Sequence, residues 1–258
     1  MEFERIVAVR NNKTVFRDGE DCIKLFKEDY PKDDILNEAL NQARIERTSI
    51  NVPKLKAITS FDGKWGIVSE FIEGKTIAEL IKGHPGNSDE YIKALVNVQR
   101  TVNAETCPML NRQREKLVKK AILSGIEEKK VKEILKSIIN IPDCEYVCHG
   151  DLVPENVILK DGNISDGVYI VDWAHVTKGN PLFDAALSYV KIYYEYGKEL
   201  AETYKKDYIS DIAGDIAKEL SADKTVEEAF YKFVPAAAAA IMPAANKKMR
   251  EFLRSFVI

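Results

Sequence analysis

At 258 residues, 45% of them hydrophobic and 31% charged, the chain is long enough to bury a full core, either as one large domain or as two lobes. Its formal net charge of −3 supplies no basic footprint for nucleic acid, and its longest apolar run, residues 233–245, contains two prolines and is too short to span a bilayer. The four cysteines (Cys22, Cys107, Cys144 and Cys148) show no C-x-x-C spacing, and the opening Met1-Glu2-Phe3-Glu4-Arg5 lacks a basic-then-apolar signal segment, so a soluble cytoplasmic protein with reduced thiols is expected.

The first seventy residues read as β-rich with one helix. Ile6 to Arg10, Thr14 to Arg17 and Cys22 to Phe26 are short strands, joined by Asn11-Asn12 and by Asp18-Gly19-Glu20-Asp21, turn residues that tolerate positive φ. Asp33 to Arg47 is a helix whose apolar face carries Ile35, Leu36, Ala39, Leu40 and Ala43. Leu55 to Phe61 and Trp65 to Phe71 form a further hairpin around Asp62-Gly63. Beyond Gly74 the pattern turns helical: Thr76 to Lys82, Ser88 to Ala104, Arg112 to Ser124 and Glu127 to Ile139. The charges of the last two read as solvated faces, with Leu117, Ile122, Val131 and Leu135 turned inward. Short strands at Glu145 to Cys148, Asn156 to Leu159 and Val168 to Val171 interrupt the helices, which resume at Leu182 to Tyr196, Glu199 to Leu220 (broken near Gly214), Val226 to Ala240 and Lys247 to Phe256. The expected fold is α+β, with a β-rich lobe over 1–73 and a mainly helical lobe over 74–258.

The chemistry concentrates in His149-Gly150-Asp151-Leu152-Val153-Pro154-Glu155-Asn156, a polar loop between short apolar runs, and in Asp172 at the end of the strand that follows. Asp151 can accept the proton of an attacking hydroxyl, while Asn156 and Asp172 offer an amide and a carboxylate oxygen to Mg²⁺. His149 is read as a hydrogen-bonding brace of the loop rather than a catalyst.

This pattern resembles the catalytic loop and metal-binding aspartate of the protein-kinase-like fold. Gly179-Asn180-Pro181-Leu182-Phe183-Asp184-Ala185-Ala186 resembles the motif that follows the metal aspartate in the aminoglycoside phosphotransferase and choline kinase families, where the carboxylate at the Asp184 position braces the catalytic loop. The resemblance implies a bilobal protein-kinase-like fold, a small β-rich N-lobe with one helix and a larger helical C-lobe. It also implies ATP and Mg²⁺ as cofactors, with Lys24 reaching the phosphates from the third strand and Glu38, fourteen residues on, ion-paired to it. Glu70 and Ile72 would offer backbone groups to adenine, and Cys22 and Val171 would enclose its ring.

Two departures qualify the match. Val153 stands where protein-directed kinases carry a lysine, and Asp172 is followed by Trp173-Ala174 rather than Phe-Gly, which favours a small acceptor over a protein. Arg10-Asn11-Asn12-Lys13-Thr14 replaces the glycine-rich phosphate loop, leaving Lys13 or Thr14 as side-chain donors. The expected activity is ATP-dependent phosphorylation of a hydroxyl on an amino alcohol, aminoglycoside, sugar or hydroxy amino acid. A protein kinase and a catalytically silent nucleotide-binding scaffold are the alternatives. Neither nucleic acid nor membrane is an expected partner. Lys247, Lys248 and Arg250 of the tail, or the aromatic residues near Tyr193, either border the acceptor pocket or belong to a solvated terminal helix and to the core.

Overall fold

The structure, a computed structural model, describes residues 3–160, 167–210, 212, 219–220 and 225–257. The break expected near Gly214 lies outside them. The chain packs into two compact units, one formed by Met1–Leu80 with Glu155–His175, the other by Ile81–Pro154 with Val176–Ile258. Residues 155–175 thus join the sheet-bearing unit, so its extent differs from a division at residue 73.

The first unit is built on an antiparallel sheet of β1 (Arg5–Val9), β2 (Lys13–Asp18), β3 (Asp21–Phe26), β4 (Leu55–Phe61) and β5 (Lys64–Glu70), in the order β1-β2-β3-β5-β4. Asp62 and Gly63 both take positive φ (48° and 82°), the geometry of a two-residue hairpin turn matched to strand twist. Asn11 and Asn12 turn without positive φ, which among the described residues belongs only to Asp62, Asp172 and glycines; the Arg10 N–H closes that loop on the Lys13 carbonyl at 2.9 Å.

Helix α1 (Lys32–Ile45) lies against this sheet, with Ile35 and Ala39 packed on Phe26 and Ile67. Its buried stripe also holds Glu38, Gln42 and Ile45, whereas Leu36 and Leu40 are exposed. The apolar face expected from the leucines is therefore rotated, because a buried Glu38 needs its partner in β3. A second small sheet joins β6 (Lys75–Thr76), β8 (Val157–Leu159) and β9 (Val168–Ile170) in the order β6-β8-β9. Gly74 is required there: a Cβ would lie 2.6 Å from the Leu159 carbonyl oxygen. The chain leaves β6 through α2 (Ile77–Gly83).

The second unit is mainly helical: α3 (Ser88–Ala104), α4 (Gln113–Ile122), α5 (Glu128–Ile139), α6 (Pro181–Tyr196), α7 (Lys198–Ser210), α8 (Val226–Ile241) and α9 (Lys247–Arg254). The alanine run of α8 is buried and permits close approach to α6, where Phe183 meets Phe233 and Tyr189 meets Phe230. Side chains of Asn180, Thr225 and Asn246 cap the starts of α6, α8 and α9. In α4 and α5 the inward residues are Leu117, Ala121, Ile134 and Ile138; Ile122 is 59% exposed, and Val131 and Leu135 lie only at the margin. Leu117 is buried as expected, while Ala121 and Ile134 take the buried places expected of Ile122 and Leu135, each one residue further along. One short pair joins β7 (Tyr146–Cys148), which leads into the His149 loop, to β10 (Thr177–Gly179). The four cysteines are free thiols, with Cys107, Cys144 and Cys148 buried.

Candidate active site

In the first unit, strand alternation sets the geometry. Val15 lies opposite Lys24 and Lys13 opposite Phe26, so Lys13 and Lys24 are diagonal neighbours on one face of the sheet. Glu38 reaches that face from α1, and Lys24 Nζ lies 2.7 Å from Glu38 Oε1. Asp172 approaches the same ammonium at 3.6 Å. Lys13 Nζ donates to both Asp172 oxygens, at 3.0 and 3.2 Å, and lies 3.4 Å from Glu38. Two cations and two carboxylates therefore neutralise one another out of bulk solvent. Burial alone would lower the Lys24 pKa, but Asp172 and Glu38 outweigh it and hold the ammonium charged. Burial alone would raise the Asp172 carboxyl, but Lys24 and Lys13 hold it well below the usual carboxylate range.

Asp172 has φ 69°, a left-handed conformation uncommon for a residue with a side chain. Such local strain persists where surrounding structure fixes it, and here Trp173 is fully buried with its Nε1 donating to Ile170 O at 3.0 Å. The Val171 N–H donates to the Asn156 carbonyl at 3.0 Å, which ties the start of β8 to the end of β9 and makes Asn156 a neighbour of Asp172 in space. A carboxylate and a nearby amide form an all-oxygen donor set that fits Mg²⁺, whose remaining ligands are phosphates and water. Among the described residues no group of three or more His, Cys, Asp or Glu side chains is placed to hold a metal ion.

Of the residues expected around adenine, Cys22, Glu70 and Ile72 lie at or just beyond the same end of β3 and β5, while Val171 follows β9. Cys22 pairs with Ser69, is half-buried, and has its thiol pKa raised by burial. The Glu70 N–H is bonded to the Lys54 carbonyl at 2.8 Å, and Ile72 follows, half-buried.

In the second unit, Asp184 organises the loop. Its carboxylate accepts the His149 N–H at 3.0 Å and the Gly150 N–H at 2.7 Å, together with the amides of Gln99 (2.7 Å) and Asn103 (3.2 Å). Gly150 has φ 78°, which turns two successive N–H groups toward one carboxylate. Burial pushes the Asp184 carboxyl up to about 6 despite these bonds. His149 is fully buried, and its Nδ1 accepts the Asp151 N–H at 3.2 Å. Asp151 is left part-exposed and ion-paired to Lys191 of α6.

Sequence reasoning missed Lys191, which the structure pairs with Asp151, and left open the place of Lys13. Lys191 lies seven residues after Asp184, two turns along one helix face, a spacing that could have placed it beside the loop. The α9 tail packs through Phe252 and Phe256 on Tyr193 of α6, and Arg250 donates to the carbonyls of Ala245 and Pro243. These contacts favour the structural reading of the tail.

The model of the phosphotransferase enzyme family, APH, matches residues 2–219. The chain belongs to this family. Among solved structures, an aminoglycoside-3'-phosphotransferase of type VIII aligns with a TM-score of 0.64 at 19% identity, covering 92% of each chain. A ternary complex of the aminoglycoside phosphotransferase APH(4)-Ia with AMP-PNP and hygromycin B gives 0.64 at 12% identity, over 98% of this chain and 92% of that one. A microcompartment-associated aminopropanol kinase gives 0.52 at 13% identity, over 98% and 88%. These likenesses show the fold, an α+β protein-kinase-like one with an antiparallel N-terminal sheet and a larger helical part. Over 54 residues the chain is also 44% identical to the protein LicA of Haemophilus influenzae, a match spanning 21% of this chain and 13% of LicA.

Proposed function

We propose that this phosphotransferase moves the γ-phosphate of ATP to a hydroxyl of a small molecule, with residues 1–73 as nucleotide-binding lobe and 74–258 as catalytic and acceptor-binding lobe. The observation that carries the reading is the buried Lys24–Glu38 pair with Asp172 alongside, since an ammonium held charged beside a metal-binding carboxylate suits a triphosphate. Bound Mg²⁺ would draw the phosphates together and neutralise their charge. Asp172 and Asn156 would hold it; Lys24, oriented by Glu38, would bind phosphate oxygens. Cys22, Val171, Glu70 and Ile72 would enclose and orient the base.

Asp151 would receive the acceptor's hydroxyl proton. Its position depends on His149, which accepts its N–H, and on Asp184, which fixes the two preceding residues. Related solved structures bind AMP-PNP and hygromycin B, or are described as an aminopropanol kinase, which supports nucleotide and small hydroxylated acceptors as the class for this chain. No helix among the described residues is long and apolar enough to cross a membrane, and a cytoplasmic location accords with that and with four free thiols. Magnesium-dependent ADP formation, measured with hydroxylated metabolites, with peptides and with neither, tests the proposal. Stimulation by peptides alone, or no turnover with any acceptor, would overturn it.

A further inference from the structure

Resting on the phosphotransferase reading, the inference concerns Lys191, whose ammonium meets the proposed base. Helix α6 is buried along its whole length from Pro181 to Val190, and Lys191 is the single basic residue among its sixteen. Asp184, Ser188 and Lys191 follow one another at helical spacing on one face. All three serve the His149 loop. Asp184 accepts the His149 and Gly150 N–H groups, and the Ser188 hydroxyl donates to Gln99, whose amide donates in turn to Asp184. Lys191 Nζ donates to Asp151 Oδ1. One charge of the helix thus fixes the backbone of the loop, and the other meets the side chain of its base. The loop itself, from His149 to Asn156, contains no lysine or arginine.

The Asp151–Lys191 pair is neutral at rest, and each side chain keeps about a fifth of its surface exposed (21% and 22%). Such a pair adds little to stability. Its consequence for the reaction is larger. In-line transfer places the acceptor oxygen within hydrogen-bond reach of Asp151 and about 3–3.5 Å from the γ-phosphorus. An ammonium bonded to the same carboxylate then lies within a side-chain rotation of the transferring group. We propose that Lys191 changes partner during turnover, from Asp151 before transfer to the transferred phosphoryl group as Asp151 takes the proton. The bond from the γ-phosphorus to the bridging oxygen of ADP breaks, its electron pair leaving with ADP, and a bond to the acceptor oxygen forms. The hydroxyl proton passes to Asp151 and later to solvent. Asp151 is neutral at that moment, so the pair acquires a net positive charge. The neutral hydroxyl has meanwhile become a phosphate ester of charge about −1.5 to −2. The released cation and the new anion arise together.

The exchange is tested without turnover by using inorganic phosphate as the probe and D151N as the mimic of the protonated base. Phosphorus NMR titrations compare the native chain, K191M, D151N and the double variant. K191M should leave phosphate affinity within about twofold where Asp151 holds the lysine, and lower it by about tenfold where D151N has released it, the effect of one charge-assisted bond. Phosphate bound at Lys24 enters both comparisons equally and cancels. Should K191M fail to fold, K191Q serves the same comparisons. In kinetics with the acceptor that gives the fastest ADP formation, K191M should lower kcat by about tenfold or more with KM for ATP unchanged. K191R keeps the charge and should recover most of that loss. An equal effect of K191M on phosphate binding in both backgrounds, native kcat in K191M, or K191R as slow as K191M overturns the exchange and leaves the phosphotransferase reading intact. Phosphate coupling in a chain that forms no ADP with any acceptor supports the release of Lys191 to phosphate and counts against phosphoryl transfer instead.

Discussion

Lys13 grips both carboxylate oxygens of Asp172, at 3.0 and 3.2 Å, on the edge that a divalent cation would take. Lys13 lies in the segment that replaces a glycine-rich phosphate loop, so a side-chain ammonium stands where such loops would present backbone N–H groups. If Asp172 holds the metal as proposed, the cation would displace Lys13 there, and the nearest new partner of Lys13 would be the phosphate that arrives with the metal. Lys13→Met is therefore expected to tighten binding of Mn²⁺ alone by several-fold, yet to weaken binding of Mg-ATP by about tenfold through loss of one charged hydrogen bond. Calorimetry with each ligand separates the two effects. A variant that binds both more weakly would show that Lys13 only supports the fold.

Asp172 and Asp184 should oppose each other in the pH dependence of stability. Lys24 and Lys13 overcome burial at Asp172 and hold its folded-state carboxyl below the unfolded value of 3.8. Its stabilisation is thus present above about pH 4 and lost as the pH falls further. At Asp184 burial wins and raises the carboxyl from 3.8 to about 6. That contribution is complete below about pH 4 and is lost as the pH rises through 6, a change of about 3 kcal/mol. Urea unfolding of Asp184→Asn should therefore lack a decline between pH 4 and 6 that the native chain shows. Asp172→Asn should lack part of the acid-side loss below pH 4. Identical pH profiles for either variant and the native chain would reject the corresponding assignment.

Removing the Asp184 carboxylate altogether is a different experiment. Its four donors are two backbone N–H groups and two side-chain amides. Asp184→Ala leaves these buried and unpaired, which is expected to cost about 3–5 kcal/mol. Asp184→Asn keeps one acceptor oxygen and should fold more stably than the alanine variant, with reduced turnover because one of the two loop N–H bonds is lost. If the alanine variant unfolds at the same urea concentration as the native chain, the bracing role of Asp184 is wrong.

Much of this arrangement is legible in residues because it is local. Asp62-Gly63 specifies its hairpin, the Pro181–Tyr196 helix begins at an asparagine cap, and the loop at His149 is bounded by short apolar runs. What escaped is set by distant partners. β6 and β10 are two and three residues long and carry no alternating pattern, so only β8 and β7, far along the chain, define them as strands. Lys191 is a charge on a helix, and in sequence such a charge reads as solvated. Its distinction is its ion pair with Asp151, which only the fold supplies. The buried stripe of α1 was misread for the opposite reason: a glutamate occupies a core position because its lysine lies in another element, and two leucines give way to it.

Asp151 offers the most direct test of the proposed chemistry. Its loop is fixed by bonds to backbone rather than by its own carboxylate, since His149 accepts its N–H while Asp184 holds the two residues before it. Asp151→Asn should therefore leave the fold and Mg-ATP affinity unchanged. The amide cannot accept the hydroxyl proton as a carboxylate does, and turnover should fall about 10²–10⁴-fold, the range for a positioned general base. Lys191 loses its ion-pair partner in that variant, so acceptor affinity should change in a direction set by acceptor charge: tighter for an anion, because the Lys191 ammonium becomes available to it. Steady-state kinetics together with calorimetry on the same preparation read these quantities separately. Turnover near that of the native chain, in a variant with unchanged unfolding and Mg-ATP affinity, would remove Asp151 from the role of base.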